Sequence, residues 1–130
     1  MSFLLEVISE LEKSSIIKSY VDKRMRLFVE PTDTTRTFII LSNITPDELS
    51  TPVSNNFLSK TQYIQIDVQS PSYNEVSTVA DEVRKIMIKQ FNLKQDSGGL
   101  DDYFEETNRY IISRRFIGVP IKNNYKEKKL

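Results

Sequence analysis

Cysteine and histidine are both missing from this chain of 130 residues. That excludes disulfide staples, thiol nucleophiles, imidazole bases and the Cys/His ligand sets of structural zinc sites. Glycine is scarce: Gly98, Gly99 and Gly118 are the only three, and they cannot build a dinucleotide fingerprint or a Walker loop. Charge of one sign is not in excess either, since 18 basic side chains balance 18 acidic ones. The chain as a whole therefore lacks the electrostatic footprint of a nucleic-acid binder. No apolar run approaches the roughly 20 residues that span a bilayer. Glu6 follows Met1-Ser2-Phe3-Leu4-Leu5 too early for a secretory leader. The expectation is a soluble protein without membrane or cofactor.

What is present is an ordinary globular composition, 38% hydrophobic and 28% charged, enough to build one core. The residues predict a single domain over 1–121 and a basic, flexible tail over 122–130, with Tyr125 set among Lys122, Lys126, Lys128 and Lys129. Phe3, Leu4, Val7, Ile8 and Leu11 recur at helical spacing and predict a helix over 2–13. A short second turn follows at Ile16, Ile17, Tyr20 and Val21. Met25–Val29 and Thr35–Ile44 read as strands joined in an antiparallel hairpin. The nearly unbroken run Phe38-Ile39-Ile40-Leu41 suggests burial on both faces.

A long loop is expected at 45–59, carrying Pro46, Pro52, Leu49, Val53, Phe57 and Leu58. Lys60–Gln69 alternates, with Ile64, Ile66 and Val68 on one face and Tyr63, Gln65 and Asp67 on the other. Ser72 and Glu75 form a capping-box pattern ahead of the apolar stripe Val76, Val79, Ala80, Val83, Met87 and Phe91, predicting a helix over 72–91. Gly98-Gly99 reads as a turn between short edge strands, and Arg109–Ile117 as the last strand. The fold class is α+β, a mainly antiparallel sheet of four or five strands with two helices packed on it.

Chemistry is hard to find. Ser15-Ile16-Ile17-Lys18 has the Ser-x-x-Lys spacing of penicillin-binding enzymes without its companion motifs. Asp96, Asp101, Asp102, Glu105 and Glu106 offer oxygen ligands but no calcium-loop pattern. A solvated polar turn explains them without a metal. A metal-dependent hydrolase using Asp67, Glu75 or these acids, and a DNA-binding module using the basic tail, are the weaker readings.

One stretch points elsewhere. Tyr63-Ile64-Gln65-Ile66-Asp67-Val68, then Tyr73-Asn74-Glu75-Val76 through Ala80-Asp81-Glu82-Val83-Arg84, resembles the strand-helix unit of the tail-terminator (tail-completion, head–tail joining) proteins of long-tailed bacteriophages. Asp102-Tyr103-Phe104-Glu105-Glu106-Thr107-Asn108-Arg109-Tyr110, followed by Arg114-Arg115-Phe116, is similar to that family's E-T-G-R-Y turn and next strand. The likeness departs at Asn108, where glycine is common, although asparagine also tolerates a left-handed backbone.

The resemblance implies a non-enzymatic virion protein of a phage or prophage, assembled in the bacterial cytoplasm and sited at the head-proximal end of the tail. Such a protein caps the tail tube at full length. Its implied partners are copies of itself in a ring, typically a hexamer, the major tail tube protein and a head-completion or connector protein, with DNA only passing through the lumen. A head-completion or neck protein is the neighbouring alternative. On this view Leu49, Phe57, Leu58, Glu105, Arg114 and Arg115 are candidates for the oligomer or tube interface. Asp101, Asp102, Glu105 and Glu106 are candidates for lining the lumen, where carboxylates would repel phosphate.

Overall fold

The computed structural model describes residues 2–44, 60–121 and the backbone of 48–49. Its elements run α1 (Phe3–Leu11), α2 (Ser15–Tyr20), β1 (Met25–Leu27), β2 (Phe38–Asn43), β3 (Glu48–Leu49), β4 (Lys60–Ser70), α3 (Tyr73–Phe91), β5 (Lys94–Phe104) and β6 (Arg109–Gly118). The main sheet has the order β1-β2-β4-β6-β5, and β3 pairs with the start of β4. All contacts between main-sheet neighbours are antiparallel except β1 with β2. The α+β class expected from the residues is the class observed.

The helices cover one face of the sheet. Ile39 and Leu41 of β2, Ile64, Ile66 and Val68 of β4 and Ile112 and Phe116 of β6 meet Phe3, Val7 and Leu11 of α1 and the Val76–Phe91 stripe of α3 in one core. The Phe3 and Phe91 rings join edge to face at 5.3 Å. Each fully buried Val, Met or Phe on α3 contributes roughly 1.5–3 kcal/mol by leaving water. The apolar stripe of α1 is therefore core.

Local chemistry starts and stops α3. Ser72 is the N-cap, its Oγ accepting from the Glu75 N–H at 3.3 Å, and Asn92 closes the helix with a left-handed φ of 59°. Only half of the capping box is made. The Ser72 N–H donates to Ser70 Oγ at 3.0 Å, while the Glu75 carboxylate accepts from Thr37 Oγ1 at 2.7 Å. Glu75 thus ties the helix to β2's entrance instead of to its own cap.

Two expectations fail. The first two strands are parallel neighbours, not a hairpin: Met25 pairs with Ile39 and Leu27 with Leu41. The ten residues between them are too many for a tight turn and carry the chain back so that β2 runs the same way as β1. Along this path Pro31 is buried and Glu30 reaches Arg109 on β6 at 2.8 Å. Gly98-Gly99 is not a turn, and the short edge strands expected around Leu93 and Leu100 merge into one 11-residue strand, β5. The glycines lie at an irregularity in it, between Gln95 and Gly99. The reversal itself falls at Glu105–Asn108, where Asn108 takes φ 54°. Asparagine does fill the left-handed position that the resemblance assigns to glycine.

Candidate assembly surfaces

The face of the sheet away from the helices carries a polar network built by strand alternation. Gln65 and Asp67 of β4 stand opposite Arg115 and Ser113 of β6. Ser113 Oγ donates to Asp67 Oδ1 at 2.5 Å, Gln65 Nε2 donates to the same oxygen at 3.0 Å, and Arg115 Nε donates to Gln65 Oε1 at 3.0 Å. Tyr63 donates its hydroxyl to Asp96, and that bond first, then the Ser97 N–H, holds the Asp96 carboxyl below its ordinary value. Asp67 Oδ1 thus accepts from two neighbouring side chains, an arrangement that ties β4 to β6.

At the upper end of the same face, Arg109 is buried under the β1–β2 connection. Its Nε donates to Gln69 at 3.1 Å, its Nη2 to Glu30 at 2.8 Å, and its guanidinium lies 5.2 Å from the Phe38 ring centre. This explains how Phe38 is wholly buried on a face that no helix covers.

The predicted interface residues with described side chains, Glu105, Arg114 and Arg115, do not converge. Arg114, on the helix side, forks onto Asp101 with Nη1–Oδ1 at 2.5 Å and Nη2–Oδ2 at 3.1 Å. Asp101 is held below its ordinary carboxylate value chiefly by that bond, and Arg114 is raised by the same partner. Arg115 points to the other face. Glu105 and Glu106 sit exposed in the β5–β6 turn, and Asp102 is exposed on the helix-free side. The four acids Asp101, Asp102, Glu105 and Glu106 therefore spread along the open edge of β5 and its turn. Among the described residues no group of three or more acidic, His or Cys side chains is placed to hold a metal. Leu49 is seen only as backbone, paired with Lys60. Phe57, Leu58 and the basic tail 122–130 lie outside the described residues.

Two features escaped the sequence reading. Tyr110 of β6 meets Tyr73 of α3 edge to face at 5.4 Å and Tyr103 of β5 at a tilt at 4.7 Å, beside a surface hollow of about 260 Å³. Their spacing along the chain gives no hint of this. At the opposite edge, Phe28 takes a left-handed φ of 67° with 60% of its surface exposed, next to exposed Val29. For a bulky residue that backbone is an outlier, and the local sequence offers no signal for it.

No protein-family model and no curated protein matches the chain. Among solved structures, a chain from the virion of a native gene transfer agent particle has the same fold, with a TM-score of 0.61 at 13% identity, covering 90% of this chain and 92% of that one. Among the described residues no helix is long and apolar enough to cross a membrane.

Proposed function

We propose that this protein is a structural subunit of a phage-like virion, working by fitting against other subunits and not by catalysis. The single observation that carries this reading is the likeness to a gene transfer agent virion chain, which spans nearly the whole of both chains. The architecture suits the role. Helices seal one face of the sheet, while β1 and β5 leave two sheet edges without partners among the described residues. Open edges of this kind are surfaces for neighbours.

The finer reading is that of a tail terminator. Copies form a ring, a hexamer on the family resemblance, that caps the tail tube and offers the head connector a surface. DNA passes through the hole without being gripped, and the protein resides at the head-proximal end of the tail. A head-completion ring one step along the same axis is the neighbouring possibility, equally compatible with a virion subunit of this fold.

The test is deletion of the gene from the producing genome, followed by electron microscopy of the lysate. Filled heads beside unjoined, overlong or unfinished tails are expected. Normal joined particles in the deletion lysate would overturn the reading.

A further inference from the structure

Resting on the reading of a self-assembling virion subunit, we propose that neighbouring copies join edge to edge, the β1 edge of one against the β5 edge of the next, with Phe28 seated at the Gly98-Gly99 notch and Arg26 reaching Asp102. The register of the sheet supports this first. Arg26, Ile40, Asp67, Ser113 and Leu100 form one continuous cross-strand row on the helix-free face. Leu27, Leu41, Ile66, Arg114 and Gly99 form the next. Extending those rows into a second copy of the same orientation places Arg26 opposite Leu100, Leu27 opposite Gly99 and Phe28 opposite Gly98.

Strand direction agrees. β1 runs with β2, and β4, β6 and β5 alternate from there, so β5 runs opposite to β1. Two copies in the same orientation therefore present antiparallel edges to each other, which is the pairing short strands accept. The contact is heterologous, edge one to edge two, and generates a ring where its rotation closes.

Surface chemistry agrees as well. Phe28, Val29 and Leu100 are large apolar groups exposed by 60%, 52% and 45%. On the helix-free face a hollow of about 270 Å³ lies beside Gly99, Leu100, Ile111 and Ser113, with Arg115 in its lining; the Arg115 side chain, which covers Gly98, turns aside for a ring to seat there. The charges are complementary. Lys23 and Arg26 are exposed on the β1 side, where Asp22 is their exposed acidic neighbour, and nothing among the described residues pairs with the Arg26 guanidinium. Asp102, Glu105 and Glu106 are exposed on the β5 side. In the extended register Asp102 is the diagonal neighbour of Arg26 on the same face, a distance that long side chains bridge.

The absence of native cysteine makes the test clean. Arg26→Cys and Leu100→Cys are combined in one chain and oxidised. Within one subunit these positions are four strand spacings apart, roughly 19 Å, far beyond disulfide reach, so any bond joins two copies. A ladder of covalent oligomers from the double variant, with single variants giving no species beyond dimer, is the expected result. Absence of the ladder overturns the proposal, whatever oligomers the wild type forms.

Two further variants separate assembly from folding. Phe28→Gly suits the left-handed backbone, so it is expected to keep the subunit folded by circular dichroism while weakening self-association at least tenfold. Arg26→Glu is expected to weaken it similarly and to recover when Asp102→Lys is added. Wild-type self-association in Phe28→Gly, or no recovery in the double charge variant, counts against this contact. Neither result touches the virion reading, which the deletion lysate decides on its own.

Discussion

Arg114 holds Asp101 with both terminal nitrogens, at 2.5 and 3.1 Å, across the β5–β6 pair. The fork is a tie within one subunit. It links the outermost strand to its neighbour on the helix side, a short distance from the exposed turn. Asp101 is 61% exposed and Arg114 28%, so water screens much of the attraction. Arg114→Ala is expected to cost about 0.5–1 kcal/mol of folding stability, read from urea unfolding. Self-association, compared by sedimentation, is expected to stay as in the wild type. A large assembly defect with unchanged stability would move Arg114 from an internal tie to an intersubunit contact.

Arg109 carries more. It is 9% exposed and serves Gln69, Glu30 and the Phe38 ring together. Truncation to alanine strips partners from buried Gln69 and uncovers Phe38, at a cost of about 2–4 kcal/mol. Lysine keeps the charge but loses the planar fork, so Arg109→Lys is expected to recover only part of the loss. Equal stability of the lysine variant and the wild type in urea would show that charge alone matters there.

The two glycines of β5 make opposite demands. A Cβ on Gly99 would lie 2.5 Å from the Ser113 carbonyl oxygen, at a φ of 149°. Backbone cannot step aside, so Gly99→Ala is expected to cost about 2–3 kcal/mol and to disturb β5–β6 pairing. On Gly98 the Cβ would meet Arg115 Cδ at 2.8 Å, the middle of a flexible side chain that can turn to another rotamer at about 1 kcal/mol. Thermal unfolding of both variants checks the difference; equal losses would mean the strand irregularity absorbs either methyl group.

Much of this architecture was legible because periodicity reports burial. The alternation of β4 and the Val76–Phe91 stripe of α3 each face one core, so their residues carry the pattern openly. The fate of the β1–β2 link was not legible. Polar turn residues at Asp33-Thr34 look the same whether strands fold back or cross over, and the parallel outcome goes with Glu30 and Phe38 finding Arg109 far along the chain. Gly98-Gly99 misled for a related reason. A glycine pair marks unusual backbone, and both a turn and an irregular strand need one. The candidate surfaces were least legible. Arg114 and Asp101 were singled out separately, yet only the cross-strand register made them each other's partner, and nothing local marked Phe28.

Acid is expected to loosen β5 before the strands inside it. Asp96 is held down first by the Tyr63 hydroxyl and Asp101 first by Arg114, and both belong to the edge strand. A carboxylate whose native pKa is lowered contributes stability that is fully present above its unfolded value, about 3.9. That contribution fades as pH falls through the lowered native value, because protonation removes the acceptor charge. Asp33 is lowered too, by Thr35, and adds a background shared by every variant. The urea midpoint of the wild type should therefore fall as pH drops below about 4. Tyr63→Phe and Arg114→Ala, each starting from a lower midpoint at neutral pH, should show a shallower fall. Amide exchange near pH 3 should reach β5 before β4 and β6. Parallel pH profiles for all three proteins would mean that these two bonds do not couple β5 to protons, and that acid acts on the fold elsewhere.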